Sequence, residues 1–299
     1  MEIQRRQFLK ESAFGLVLTA LGPRAGSASP GPTSPFSALK SASIKIGGCD
    51  WSLRKEGQPG SFAAAKEAGL EGVEVSCGKG TEKLPISDPE RRKLFLSEAK
   101  KHGLPIPSTC LEILHRDGLK NHPAAPRWVE EAIEPTRDLG AKVILLPFFG
   151  KQSINERAEQ KAVADRLKPI APIAEKAGVI LGLENTISAE DNAWMLDRIA
   201  SPAVKVYYDV GNSYINKFDI YQEVPWLGKD RICQLHLKDH GFLLGKGKID
   251  FPRFLESVLK CGFEGWAMLE TAVVTTVKED FAQNAGYVRR LLEEKSRGA

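Results

Sequence analysis

Eight short apolar runs, separated by longer helical patterns through residues 43–299, narrow the folds open to this chain more than any other feature. The runs are 44–47, 72–76, 105–109, 142–147, 179–184, 204–209, 231–237 and 266–270. Several are apolar without alternation, as in KVILLPFF and GVILGLEN. A strand reads that way when both of its faces are covered, as in parallel sheets flanked by helices. Between the runs, Asp88-Pro89-Glu90 and Asp250-Phe251-Pro252 carry helix-start chemistry, and Gly103 and Gly178 stand where helices stop. The alternation predicts βα units. Eight of them in roughly 255 residues match a closed (β/α)8 TIM barrel, a single α/β domain. An open doubly wound sheet would want a glycine-rich phosphate turn after an early strand, and CDWSLRKEGQPG, after the first run, has none.

Hydrophobic residues make up 42% of the chain, enough to fill such a core. Lys and Arg number 42 against 38 Asp and Glu, a net charge of +4. That excess is too mild for the one-sided basic face of a nucleic-acid binder. Cys49, Cys77, Cys110, Cys233 and Cys261 form no CxxC pair, so they read as small core residues rather than a zinc knuckle or a disulfide framework.

The first residues run in the order of an export signal: basic RRQFLK, an apolar stretch through Phe14 to Leu21, then small residues and prolines. Arg5-Arg6 followed by Gln7, Phe8, Leu9 and Lys10 resembles the twin-arginine motif, with Gln4 where Ser or Thr is usual. The stretch is short for a membrane span and is interrupted by Gly15 and Thr19. The expected organisation is a signal at 1–28, a linker at 29–42 and a barrel at 43–299, giving a periplasmic or extracellular protein without stable membrane insertion once the signal is cleaved.

In a barrel the chemistry sits at the C-terminal ends of the strands. The fifth run ends GLEN with Glu184, the sixth YYDVGN with Asp209, the seventh QLHLKD with His236 and the eighth AMLET with Glu270. One carboxylate closing a strand is ordinarily a helix cap. Three with an imidazole, on four successive strands of an apolar barrel, are too costly to bury together without a compensating cation. One divalent ion held by Glu184, Asp209, His236 and Glu270 is therefore expected. Oxygen-rich ligands with one nitrogen put Mn first, with Mg, Co, Fe or Zn behind it.

The endings LEN, YDVGN, HLKD and LE, in this order over the second half of the chain, resemble the xylose-isomerase-like barrels. That superfamily includes ketose 3-epimerases, hydroxypyruvate isomerases, inosose dehydratases and endonuclease IV. The resemblance implies that Glu184 and Glu270 both bind the metal and act as acid and base on opposite faces of a sugar. It further implies a substrate-binding role for Glu190, six positions after Glu184. The chain departs from the ketose 3-epimerases in having Asn212 where they carry a histidine, and in lacking a substrate-binding arginine after His236.

Such a site would remove a proton next to a carbonyl and stabilise the resulting enediolate charge electrostatically. Return of the proton to the other face gives an epimer, and return to the neighbouring carbon gives an aldose–ketose isomer. Loss of a β-substituent makes a lyase or dehydratase, and a lyase, dehydratase or epimerase acting on keto-sugars or keto-glycosides suits a protein outside the cytoplasm. Trp51, Glu112, His115, Lys238 and Asn212 are candidate substrate contacts. The loop Gly245–Lys248, GKGK, reads either as a phosphate holder or as a solvated loop, and His102, His122 and His240 read as surface or loop residues. Endonuclease IV needs a trinuclear zinc cluster rich in histidine, and this chain has five histidines in all. A non-catalytic sugar-binding barrel would have no use for both glutamates. A small carbohydrate is the expected partner, and a homo-oligomer stays open because related barrels often pair.

Overall fold

A computed structural model describes residues 44–297. The export signal and linker expected over residues 1–42 lie outside these described residues. The apolar runs form β1 (Ile44–Cys49), β2 (Val73–Ser76), β3 (Ser108–Cys110), β4 (Val143–Pro147), β5 (Ile180–Glu184), β6 (Val204–Asp209), β7 (Ile232–Leu237) and β8 (Gly265–Leu269). Each pairs in parallel with the next and β1 closes on β8, so the sheet is a barrel without an edge. No helix among the described residues is long and apolar enough to cross a membrane.

Only β6 keeps both expected limits; β2, β4, β5 and β7 each begin one residue later than expected, and the differences in β1, β3 and β8 have backbone reasons. β1 runs on through Gly48 and Cys49, which pair with Val73 and Glu74. Gly47 sits in this strand because an added Cβ would lie 2.4 Å from Met268 Cε and 3.0 Å from the Gly72 carbonyl. β3 begins at Ser108 instead of 105, since Pro105 and Pro107 have no N–H to give the ladder. Their carbonyls still accept from the Val73 and Lys142 amides. β8 ends at Leu269, one residue before Glu270, yet the Glu270 amide donates to the Leu237 carbonyl at 3.1 Å and keeps that residue in register.

The helices wrap the outside: α1 (Ser61–Glu67), α2 (Pro89–His102), α3 (Ala125–Asp138), α4 (Arg157–Leu167), α5 (Ala171–Ala177), α6 (Ala189–Ile199), α7 (Val210–Ile215), α8 (Ile220–Leu227), α9 (Phe251–Lys260) and α10 (Val277–Arg297). The expected signals act where they were read. Asp88 accepts from the Glu90 amide at 3.0 Å to start α2, and Asp250 accepts from the Arg253 amide at 3.0 Å to start α9. Gly103 and Gly178 stop α2 and α5 at φ 65° and 68°, the left-handed region that favours glycine.

The larger core lies between strands and helices, and a smaller one of Cys49, Cys110, Val143, Leu145, Tyr207 and Met268 fills the barrel interior. All five cysteines are unpaired, and Cys49, Cys77 and Cys110 are buried, as small core residues are. A polar thread also crosses the interior. Gln234 donates to Ser108 at 2.7 Å and to the Tyr207 hydroxyl at 2.9 Å, and that hydroxyl donates to Glu74 at 3.0 Å. It leads to the C-terminal end of the barrel.

Candidate functional site

Parallel register brings the strand ends together: Asp209 lies opposite His236 in the β6–β7 ladder, and Glu184 and Glu270 close the flanking strands. His236 Nδ1 is 2.9 Å from Glu184 Oε1, 3.7 Å from Asp209 Oδ2 and 3.6 Å from Glu270 Oε2. One ligand atom from each of the four residues falls within 4.8 Å of all the others. Donors held about 2.1 Å from a small divalent ion sit roughly 3 to 4 Å apart, so modest contraction fits one. Asp209 Oδ2 supports that fit, being buried without a well-angled hydrogen-bond donor. The Lys238 ammonium lies 2.8 Å from it, and 2.6 Å from Glu270 Oε2.

The electrostatics follow from burial and these neighbours. Burial pushes the Glu184 carboxyl up to about 8, with Glu270 and Asp209 adding to the effect and His236 opposing it. Burial also acts to raise Asp209, but Lys238 and His236 outweigh it and hold that carboxyl below the usual carboxylate range. Lys238 itself is held well above the ordinary lysine range: burial works against its charge, and the carboxylates of Asp209, Glu270 and Glu184 prevail.

Glu74, not singled out from the sequence, completes the arrangement. It is buried in the middle of β2, and its Oε2 lies 3.0 Å from His236 Nε2. A carboxylate there fixes which ring nitrogen carries the proton and leaves Nδ1, on the side of the other carboxylates, free to bind a metal. The available signal was a lone glutamate inside the apolar run GVEVS. Cys49 Sγ, 3.4 Å from the same Nε2, makes a second cluster with Glu74 and His236 beneath the first.

Above the carboxylates opens a cavity of about 260 Å³. Trp51, Glu112, His115, Asn212 and Lys238, all expected near substrate, line it together with Glu184 and Glu270. The Trp51 indole donates to Glu270 Oε1 at 3.0 Å, and the Asn212 amide reaches Glu184 Oε1 at 3.4 Å. Glu56, Lys79 and Phe149 also line the wall and were not foreseen, being ordinary loop residues until the βα loops fold over the barrel mouth. Glu190 is not brought to the cavity. It is exposed in the first turn of α6, where an acid complements the positive end of a helix. The GKGK loop is not an open phosphate holder either, since the Gly247 and Lys248 amides donate to the Asp239 carboxylate at 3.1 and 3.2 Å. His102 pairs with Glu98, His122 stacks on Trp128, and exposed His240 meets the Gly211 carbonyl, all outside the cluster.

Residues 62–291 match the family described as xylose isomerase-like TIM barrel. The 2-epi-5-epi-valiolone 7-phosphate 2-epimerase of Actinoplanes sp. is 23% identical over 200 residues, 65% of this chain and 72% of that protein. The 3-keto-D-glucoside 4-epimerase of E. coli superposes with a TM-score of 0.65 at 19% identity, covering 83% of this chain and 99% of that one. The D-allulose 3-epimerase of Methylomonas sp., in complex with D-allulose, gives 0.66 at 16% identity, covering 85% and 98%. With a match over most of its length, the chain belongs to the xylose isomerase-like TIM barrel family.

Proposed function

We propose that this protein is a metal-dependent sugar epimerase or isomerase that moves a proton next to a carbonyl by way of an enediolate. The observation that carries the reading is the convergence of Glu184, Asp209, His236 and Glu270 beneath a cavity of sugar-ring size. The relatives named above are epimerases of sugars or of a cyclitol phosphate, which supports the same class. A divalent cation at the four residues, Mn first, would supply electrostatic stabilisation of oxygen charge as the proton leaves.

The chain's own groups do the rest. Glu184 and Glu270 both line the cavity and come from strands that flank β6 and β7, so a sugar above them meets one carboxyl as base and the other as acid. Trp51 and Lys238 hold Glu270 by its two oxygens, while His236 and Asn212 hold Glu184, which keeps each carboxyl aimed without a change of rotamer. The Lys238 ammonium, partly open to the cavity, also offsets the carboxylate charge around the reacting carbon. A lyase or dehydratase shares this first step and differs only in what leaves next.

The test is solvent deuterium exchange into D-allulose and D-fructose, with metal analysis of the same protein. About one metal per chain and metal-dependent exchange, lost in Glu184→Gln and Glu270→Gln, is the expected result. No metal after reconstitution, or exchange indifferent to both substitutions, would sink the reading; release of a β-substituent would move it to the lyases. We also propose export by the twin-arginine route, from Arg5-Arg6 and the following apolar stretch. The mass of the protein recovered outside the cytoplasm should lack about 28 residues, and an Arg5→Lys, Arg6→Lys variant should stay inside.

A further inference from the structure

We infer that the sugar handled here is a neutral one carrying a second ring, a glycosylated rather than a phosphorylated sugar, whose second ring lies across Phe149. This deepens the proposed function and rests on it for the nature of the reacting ring. The cavity over the carboxylates, about 260 Å³, is at the small end of ligand sites and takes one sugar ring. A second, open cleft of about 580 Å³ adjoins it and shares His115 and Phe149 with it. Those two rings stack with centroids 5.8 Å apart and planes 25° from parallel, forming an aromatic sill between the two spaces. Such a face buries the C–H side of a sugar ring and asks for no charge.

A phosphate is held by arginine, lysine or free backbone amides, and the cationic side chains on the shared wall of the two spaces already face carboxylates. Lys79 is ion-paired with Glu56 and Arg116 with Asp117. The amides of Gly247 and Lys248 hold Asp239, and the Gly78 amide donates to Glu112 Oε1 at 2.6 Å. Lys151 stands on an exposed turn of the cleft, a screened charge that fixes little by itself. Glu112 argues the same way. It is a buried carboxyl in the cavity wall whose Oε2 has no hydrogen-bond partner, suited to a sugar hydroxyl.

The experiment is calorimetric titration of the full-length, Mn-loaded protein with four ketoses: D-fructose, fructose 6-phosphate, turanose and isomaltulose. The last two are fructose glucosylated at different oxygens. At least one should bind about ten-fold or more tighter than fructose, while fructose 6-phosphate gains less than about three-fold. Phe149→Ala should bring the disaccharide-to-fructose ratio below about three. A smaller disaccharide advantage, a ten-fold gain from the phosphate, a ratio unmoved by Phe149→Ala, or no binding of any of the four overturns the inference. Calorimetry needs no turnover, so a disaccharide preference without metal-dependent deuterium exchange into that same disaccharide would sink the proton-transfer reading and leave this one standing.

Discussion

Glu74 shows how one buried carboxylate can set the chemistry of a neighbour it does not share a strand with. Its Oε2 is shared by the His236 ring and the Tyr207 hydroxyl, each at 3.0 Å, with the Cys49 thiol at 3.5 Å. Glu74→Gln keeps the shape and removes the charge that orients the ring. Metal affinity should fall about 10- to 100-fold, read by Mn titration with electron paramagnetic resonance; unchanged affinity would make Glu74 a packing residue. Glu112 offers a test by pH. Burial, opposed by its own and the Gly78 backbone amides, pushes its carboxyl from 4.5 up to about 7. The folded protein therefore holds this proton more tightly than the unfolded chain. Its contribution to stability is full below pH 4.5 and is lost as pH rises through about 7. The loss is at most on the order of 3 kcal/mol. Denaturation between pH 4.5 and 8 should show a shallower decline for Glu112→Gln than for the wild type.

Among the described elements, α7 is the shortest α-helix, and it is tied directly to the site. It starts directly from β6, with Asp209 as its cap: Oδ1 accepts from the Asn212 amide at 2.8 Å while Oδ2 faces the metal side. Gly211 lies in its first turn, where a Cβ would come 2.5 Å from Lys238 Cγ and 3.0 Å from the Lys238 carbonyl. Alanine in a helix gains about 1 kcal/mol over glycine by propensity. The clash with a backbone carbonyl just past the end of β7, which cannot swing away as a side chain does, costs about 1–3 kcal/mol and wins. Gly211→Ala should thus lower the denaturant midpoint and displace Lys238 from Asp209 and Glu270. At Asp88, by contrast, the exposed cap of α2 touches nothing in the site. Asp88→Ala should cost about 1 kcal/mol of stability and leave metal affinity unchanged.

For the molecule as a whole, the four-residue cluster couples folding to metal. The unfolded chain cannot assemble ligands that come from β5, β6, β7 and the end of β8. Metal at about 100 times its dissociation constant should add about 2.7 kcal/mol to unfolding. That corresponds to a melting temperature about 5 to 10 °C higher, reversed by chelator and absent in His236→Ala; an unchanged melting temperature would separate the cluster from metal binding.

The sequence alone determined the architecture and the four candidate ligands. Strands buried on both faces leave continuous apolar runs, and a barrel always presents its strand ends at one mouth, so position along the chain stood for position in space at Glu184, Asp209, His236 and Glu270. Proline at 105 and 107 and glycine at 47 and 48 blurred strand limits because ladder formation depends on which neighbour offers an N–H or a close contact. Only the tertiary structure decided what lies across the barrel. Glu74 meets His236 through an interior that no local pattern describes, Glu190 turns outward with its helix, and Asp239 takes the loop amides that a phosphate could have used. Those outcomes depend on how loops fold over a closed sheet, and residues far apart in the chain carry no periodic trace of meeting there.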